Sequence, residues 1–295
     1  MTNHRNTLDV VDLTIELPNG MRLLRDVSLT LEPGEVRALV GESGAGKSMI
    51  GKAVLGILPS ALSITRGEIL MEGHNLGSLS LARRRATVAE TAALIPQDPL
   101  TALNPVRKIG PQITDPLVRI RGWSAAQARE RALDLLDRVH IRAPERVMNS
   151  YPHELSGGMR QRVLIAAAFA PSPRLIVADE PTTALDVTVQ KQILRLIREL
   201  QQETGTSVLF VTHDMGVVAK ISQKVTVLFA GKVMEDAATR DIFTNPGHPY
   251  TRALIAATPS HADPDRSFSP VPDSLIADLH RQIALDDKHA QGVRA

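Results

Sequence analysis

The chain has 295 residues, 43% of them hydrophobic and 22% charged, with a formal net charge of +2 and no cysteine. Such values suit a soluble globular protein of one large domain or two small ones. They exclude disulfides, thiolate metal sites and iron–sulfur clusters, and so small a net charge argues against a nucleic-acid footprint, which needs a strong basic patch. The densest basic cluster, Arg83-Arg84-Arg85, reads as a solvated helix face. Met1 to Asn6 is polar and lacks an apolar signal core. No apolar run approaches the ~20 residues that span a bilayer. The expected location is therefore the cytoplasm, with any membrane role supplied through a partner.

In chain order, Leu8 to Leu17 and Met21 to Leu31 read as two strands joined by a Pro18-Asn19-Gly20 turn, an antiparallel layer ahead of the core. Val36 to Val40 reads as a buried strand, and the residues after the following loop, through Leu58, as a helix. Further strands are expected at Glu68 to Met71, Ala92 to Ile95, Leu175 to Ala178 and Ser207 to Val211, with helices between them. That alternation implies an α/β sheet covered on its faces. Leu100 to Ser150 has no good strand. Ser124 with Gln127 is a capping-box signature, and Ala132, Leu135, Leu136 and Val139 follow at helical spacing, so this stretch reads as a helical insertion. Val163 to Ala170 is a buried-helix candidate. Short helical stretches are expected after Val233 to about Thr258, and a loosely packed polar tail from about Pro259.

The most informative stretch is Gly41-Glu42-Ser43-Gly44-Ala45-Gly46-Lys47-Ser48, followed by Met49. Gly, four residues, then Gly-Lys-Ser between a strand and a helix is the phosphate-loop pattern. Its glycines let backbone N–H groups turn inward onto phosphate oxygens, and the helix N-terminus adds positive potential there. Lys47 is placed for the outer phosphates and the Ser48 hydroxyl for Mg²⁺. The ligand expected is ATP with Mg²⁺.

Leu175-Ile176-Val177-Ala178-Asp179-Glu180 is an apolar strand ending in two carboxylates. Asp179 is the candidate to hold Mg²⁺ through water and Glu180 the candidate general base. Gln97, after one strand, is a candidate for Mg²⁺ and water contact, and His213, after another, for the γ-phosphate. Ligands in such sheets bind beyond the carboxyl ends of the strands. Leu155-Ser156-Gly157-Gly158-Met159 is a second glycine turn opening a helix, with Ser156 as its cap. Two phosphate-grade helix N-termini for one nucleotide suggest that Ser156, Gly157 and Gly158 serve an ATP held by a neighbouring subunit.

At these residues the chain resembles the ATP-binding subunits of ABC transporters. Gly41 to Ser48 is similar to the Walker A loop, Gln97 to the Q-loop, Leu155 to Met159 to the LSGGQ signature and Leu175 to Glu180 to Walker B with its catalytic glutamate. Ala184-Leu185-Asp186 is similar to the D-loop and Thr212-His213-Asp214 to the switch histidine. The resemblance covers about Leu8 to Thr258. It implies a P-loop NTPase (RecA-like) core at 1–99 and 151–236, a helical subdomain at 100–150, C-terminal helices at 237–258 and a short polar tail at 259–295. Gln97 to Pro105, Tyr151 to Ser156 and Asn245 to Leu254 further resemble ATPases of peptide and nickel importers. The subgroup implies two transmembrane permease subunits, a second identical or homologous ATPase and an external solute-binding protein. It places the chain at the cytoplasmic side of the inner membrane, importing di- or oligopeptides, or alternatively nickel or another small solute. A soluble ABC ATPase acting on DNA or the ribosome, and an exporter ATPase, are the rival readings. Three departures stand out: Met159 in place of the signature glutamine, Leu17 (or Ile15) where an aromatic ring usually stacks on adenine, and a short tail without cysteines.

Overall fold

The computed structural model describes residues 6–183, 185–258 and 270–292. Met1–Arg5, Ala184 of the D-loop resemblance, residues 259–269 of the expected tail and the last three residues lie outside the described residues. The fold is α/β with mixed sheets, and the chain divides into two units that alternate along the sequence.

The first unit takes Leu8–Leu31 and Val36–Gly77. It begins with β1 (Leu8–Glu16) and β2 (Arg22–Leu31), then β3 (Val36–Val40), α1 (Lys47–Val54), β4 (Ser63–Met71) and β5 (His74–Asn75). The chain then enters the second unit, Ser78–Phe210 with Glu32–Glu35. Here lie α2 (Leu81–Thr91), β6 (Ala92–Ile95), α3 (Pro99–Ala102), α4 (Ile109–Arg121), α5 (Ala125–Arg138), α6 (Pro144–Asn149), α7 (Gly157–Phe169), β7 (Leu175–Asp179), α8 (Val187–Thr204) and β8 (Ser207–Val211). At the end of β8 the chain returns to the first unit with α9 (Met215–Ile221), β9 (Lys224–Phe229), β10 (Lys232–Ala238), α10 (Thr239–Thr244), α11 (Pro249–Ala256) and α12 (Asp273–Gly292).

Within the first unit, β2, β1, β4 and β5 form an antiparallel sheet in that order. Asp12 at φ 48° accompanies the register shift between Val10 and Leu13, a bulge that returns Leu13 and Ile15 to the buried face. All five residues of β3 are buried, as befits a strand covered on both faces. It pairs parallel to β9, which pairs antiparallel to β10. Arg37 of β3 is buried, and its charge is paired with Asp236 of β10 and bonded to Thr226 Oγ1, the condition under which a buried guanidinium is tolerated. In the second unit β6 and β7 run parallel, with β8 beside β7. Helices α4, α5 and α6 pack on one another. The Ser124–Gln127 box is formed in both directions (2.9–3.3 Å), and Ala132, Leu135, Leu136 and Val139 are buried. Arg83 and Arg85 are exposed on α2.

β4 begins at Ser63 rather than Glu68 and α1 ends at Val54 rather than Leu58, and two further parts differ more from the sequence reading. Strands β9 and β10 occupy 224–238, where the sequence reading put no strand and placed helical stretches after Val233; β10 is half-exposed and carries Glu235 and Asp236, so it lacks the apolar alternation that marks a strand. In place of a loosely packed tail, α12 inserts Leu279 and Ile283 into the core formed by Val40, Val225, Phe229 and Tyr250. Polar composition masks the few apolar residues, Leu275, Ile276, Leu279 and Ile283, that recur at helical spacing. At its far end Asp287 is bonded twice by Arg25 of β2 (2.8–3.1 Å) and lies 3.6 Å from Arg22. Ile283→Ala is expected to cost about 2–4 kcal/mol in equilibrium urea unfolding; an unchanged midpoint would show that α12 does not contribute to the core.

Candidate nucleotide-binding and hydrolysis site

In the first unit, the buried strand β3 runs directly into Gly41–Ser48 and α1. Gly41 has φ 151°, and a Cβ there would sit 2.2 Å from the Leu228 carbonyl oxygen. Gly46, at φ 96°, caps α1, and a Cβ would meet Leu24 Cδ2 at 2.6 Å. The two glycines let the loop turn tightly against its own support. Lys47 is buried, and its Nζ donates to the carbonyls of Gly41 and Glu42, both at 2.9 Å. The ammonium is thus drawn back over the start of the loop. Ser43 and Gly44 at the loop's tip are exposed, while Ser48 and Met49 are half-buried. The loop's backbone and the N-terminus of α1 form a concave array of donors suited to phosphate oxygens.

His213 lies in the same unit and is exposed. Its backbone is fixed on both sides. The Thr212 N–H donates to Leu39 O of β3 (3.1 Å), and Asp214 accepts from Gly216 N–H (2.8 Å) and Val217 N–H (3.2 Å) to cap α9. The structure therefore brings His213 beside the strand that delivers the phosphate loop. Of the two residues considered for the adenine contact, Ile15 is fully buried in the antiparallel sheet, while Leu17 is half-buried at the turn, its N–H bonded to Met21 O. Only Leu17 presents surface.

The second unit carries Gln97, Asp179, Glu180 and Ser156–Gly158. Three apolar residues and Ala178 bury β7 up to Asp179, which is half-buried at its end. Glu180 has φ 45°, a conformation costly for a residue with a Cβ and one that collects at functional sites. Its Oε2 accepts from Gln97 Nε2 (3.3 Å) and from Thr183 Oγ1 (2.9 Å). The structure thus brings Gln97 and Glu180 together. Ser156 accepts from the Met159 N–H (3.3 Å) and caps α7. Gly157 is exposed, and a Cβ placed on it would meet nothing within 4 Å. Nothing among the described residues requires that residue to be small. Gln161, buried further along α7, donates to Pro181 O (2.9 Å), tying the glycine-headed helix to the segment just after Glu180.

Thr183 and Gln161 were not picked out by sequence reasoning. Thr183 carries a local signal, since a hydroxyl three residues after a carboxylate in a turn can reach back to it; Gln161 carries none.

A model of the ABC transporter family matches residues 24–183. The chain belongs to the ABC transporter family. A second model, the C-terminal region of oligopeptide/dipeptide transporters, matches residues 234–281. The chain is 45% identical over 281 residues to a probable peptide ABC transporter ATP-binding protein of Sinorhizobium fredii, covering 94% of this chain and 84% of that one. It is 45% identical over 257 residues to the oligopeptide transport ATP-binding protein OppD of Bacillus subtilis, covering 86% and 72%. Among solved structures it is similar to cbiO1 of Clostridium perfringens, part of an ABC transporter complex, with a TM-score of 0.72, 26% identity and coverage of 82% and 92%. It is also similar to the dimeric ATP-binding cassette MJ0796 bound to ADP and Pi, with a TM-score of 0.70, 28% identity and coverage of 79% and 99%. The ABC chain thus binds ATP and has the fold of a P-loop ATPase.

Thr183→Ala removes a donor to Glu180. It is expected to lower kcat for ATP hydrolysis by about ten- to a hundredfold through loss of orientation while KM for ATP stays unchanged, with Thr183→Ser restoring activity. Steady-state phosphate release measures this, and an unchanged kcat would remove Thr183 from the machinery.

Proposed function

We propose that this ABC ATPase powers the uptake of di- or oligopeptides from the cytoplasmic face of the membrane. It would work with two transmembrane permease subunits, a second identical or homologous ATPase and an external solute-binding protein. The observation that carries the reading is the pairing of the ATPase match at 24–183 with the oligopeptide/dipeptide C-terminal match at 234–281 on one chain. The names of the Sinorhizobium and Bacillus relatives support it. Among the described residues no helix is long and apolar enough to cross a membrane, so the permeation path belongs to partners.

In this reading Gly41–Ser48 and Met49 take the phosphates of ATP, Lys47 shifting from the loop carbonyls to the outer phosphates. Ser48 and Asp179 are the residues that would hold Mg²⁺. Their chemistry fits: a hydroxyl and a carboxylate are hard oxygen donors, and Mg²⁺ prefers one or two protein oxygens alongside waters and phosphate oxygens. When bound, that ion draws charge from the phosphate oxygens. Glu180, oriented by Gln97 and Thr183, accepts the proton of the attacking water. His213 contacts the γ-phosphate from its fixed turn. Ser156, Gly157 and Gly158 supply a second set of donors to the ATP of the neighbouring ATPase, and the empty space over Gly157 supports this, since it leaves the helix N-terminus open to a ligand from outside the chain.

Two experiments test the reading. Glu180→Gln is expected to bind ATP with wild-type affinity and to hydrolyse it about a hundredfold or more slowly in the reconstituted complex. Tagged and trapped with ATP and Mg²⁺, it should co-purify two permeases from membranes, whereas recovery of soluble partners alone would reject the importer. Gly157→Asp is expected to keep the wild-type Tm, because the site is open and an acidic residue suits the first turn of a helix. It should abolish hydrolysis by placing a carboxylate where the neighbour's phosphate is to sit; retained hydrolysis would argue against the shared site.

A further inference from the structure

The second unit also carries a groove that no residue of the motifs above lines. Its walls are His140 in the turn after α5, Arg162 of α7, and Gln192, Arg195, Leu196 and Glu199 of α8. Its volume is about 310 Å³, at the lower end of the range for small-molecule sites. The four α8 residues are spaced i, i+3, i+4 and i+7, so they form one stripe along that helix. Leu196 is buried and floors the groove, while His140, Gln192, Arg195 and Glu199 are exposed around it.

One end of the groove is cationic and uncompensated. Arg162 is half-buried, and its guanidinium donates to Val139 O (2.6 Å) and Gln192 Oε1 (2.9 Å), both neutral acceptors. It forms no ion pair among the described residues, whereas Arg138 nearby in sequence to His140 is paired with both Asp134 and Glu203. A half-buried charge without a counterion is costly. The two neutral acceptors orient the fork without cancelling its charge, and they leave further N–H donors for a ligand. His140 follows the Val139 carbonyl directly. Its backbone has φ 56° and its N–H is bonded to Asp137 O (2.8 Å), and its imidazole adds a donor at the same end.

The other end is anionic. Glu199 Oε1 accepts from Arg195 Nε (2.7 Å), an exposed i,i+4 pair of the kind that contributes little. Glu199 Oε2 takes no hydrogen bond among the described residues. From Gln192, which carries the Arg162 bond, to Glu199 the helix rises ~10 Å at 1.5 Å per residue. A peptide of about three residues in extended form spans the same ~10 Å. The groove thus offers, in order, cationic donors for a carboxylate, an amide side chain, an apolar floor and a carboxylate oxygen for an ammonium.

We propose that this groove is a binding site for a short peptide with free ends, about three residues long. Its C-terminal carboxylate sits on Arg162 and His140, and its N-terminal ammonium on Glu199 Oε2. A simple anion would satisfy the first end alone, and the opposite charges at the two ends favour the zwitterion. The site shares no residue with those assigned to ATP hydrolysis, although α7 also carries Gly157, Gly158 and Gln161. The inference goes beyond the import reading and does not rest on it. Taken with that reading, it gives the ATPase a means of sensing, on its own side of the membrane, the product of uptake.

The test is isothermal titration of the full-length chain with the tripeptide Ala-Leu-Ala and with its N-acetylated and C-amidated forms. The wild type is expected to bind the free tripeptide, and to bind each capped form about three- to tenfold more weakly, since each cap removes one charge. Glu199→Gln is expected to bind the free tripeptide as weakly as the wild type binds the acetylated form, and to bind the acetylated form with wild-type strength. Glu199 is exposed, so the variant keeps the fold, which an unchanged Tm checks. The proposal is overturned if the wild type does not bind the free tripeptide, if free and capped forms bind equally, or if Glu199→Gln binds the free tripeptide like the wild type. Weakening by the amide cap alone reveals a simple anion site and overturns it too. ATP hydrolysis and import are read separately, and none of these results touches that reading.

Discussion

The constraint on which the nucleotide site depends is the close approach of two backbones. The turn between β9 and β10 comes so near the phosphate loop that Leu228 O occupies the place of any side chain at Gly41, and the Gly231 N–H bonds Ala45 O. Gly231 is packed as tightly from its other side, where a Cβ would meet Leu23 O at 2.0 Å. Three stretches of chain (the phosphate loop, the β9–β10 turn and the start of β2) therefore meet through backbone atoms, with no side chains to give way. Backbone contacts of this kind fix geometry more firmly than side-chain packing, which can change rotamer. The loop is thus held at Gly41 and Ala45 by backbone contacts, a fixed support of the kind that charge stabilisation uses.

The second unit solves a different problem, that of aiming one carboxylate. Glu180 adopts a backbone conformation unfavourable to any residue with a Cβ, and the surroundings hold it there. Gln97 and Thr183 bond its Oε2, and Gln161 fastens the following proline carbonyl. The same Gln161 sits on α7, whose opening glycine has open space around it. One helix thus joins the residues after the carboxylate to an exposed helix N-terminus.

Much of this was legible in the sequence, and the limits have physical causes. Gly41–Ser48 is legible because few residue types permit that backbone path, so chemistry and spacing coincide. Asp179 and Glu180 are legible because an apolar strand that ends in two charges has to place them at its rim. β6 and β8 match their expected bounds because short, continuous apolar runs have little else to become. β10 was missed because an edge strand with Glu235 and Asp236 need not alternate, and α12 because four apolar residues in a polar segment show their purpose only when the surface that receives them is known. Asp287 could not be read at all: its partner Arg25 lies more than two hundred residues away, and no local pattern encodes a contact of that separation.

That separation also bears on how the molecule is made. The first unit is discontinuous: its β1–β2 layer is synthesised at the start and α12 at the end, with the whole of Ser78–Phe210 between them. The intervening unit is nearly contiguous and can fold as it emerges from the ribosome. Arg22 and Arg25 must wait until residue 287 has been translated before they meet Asp287, and the supports beneath the phosphate loop wait with them. The junction of α12 with β2 is therefore the last contact of the first unit to form, though it joins the first-made strands to the last-made helix.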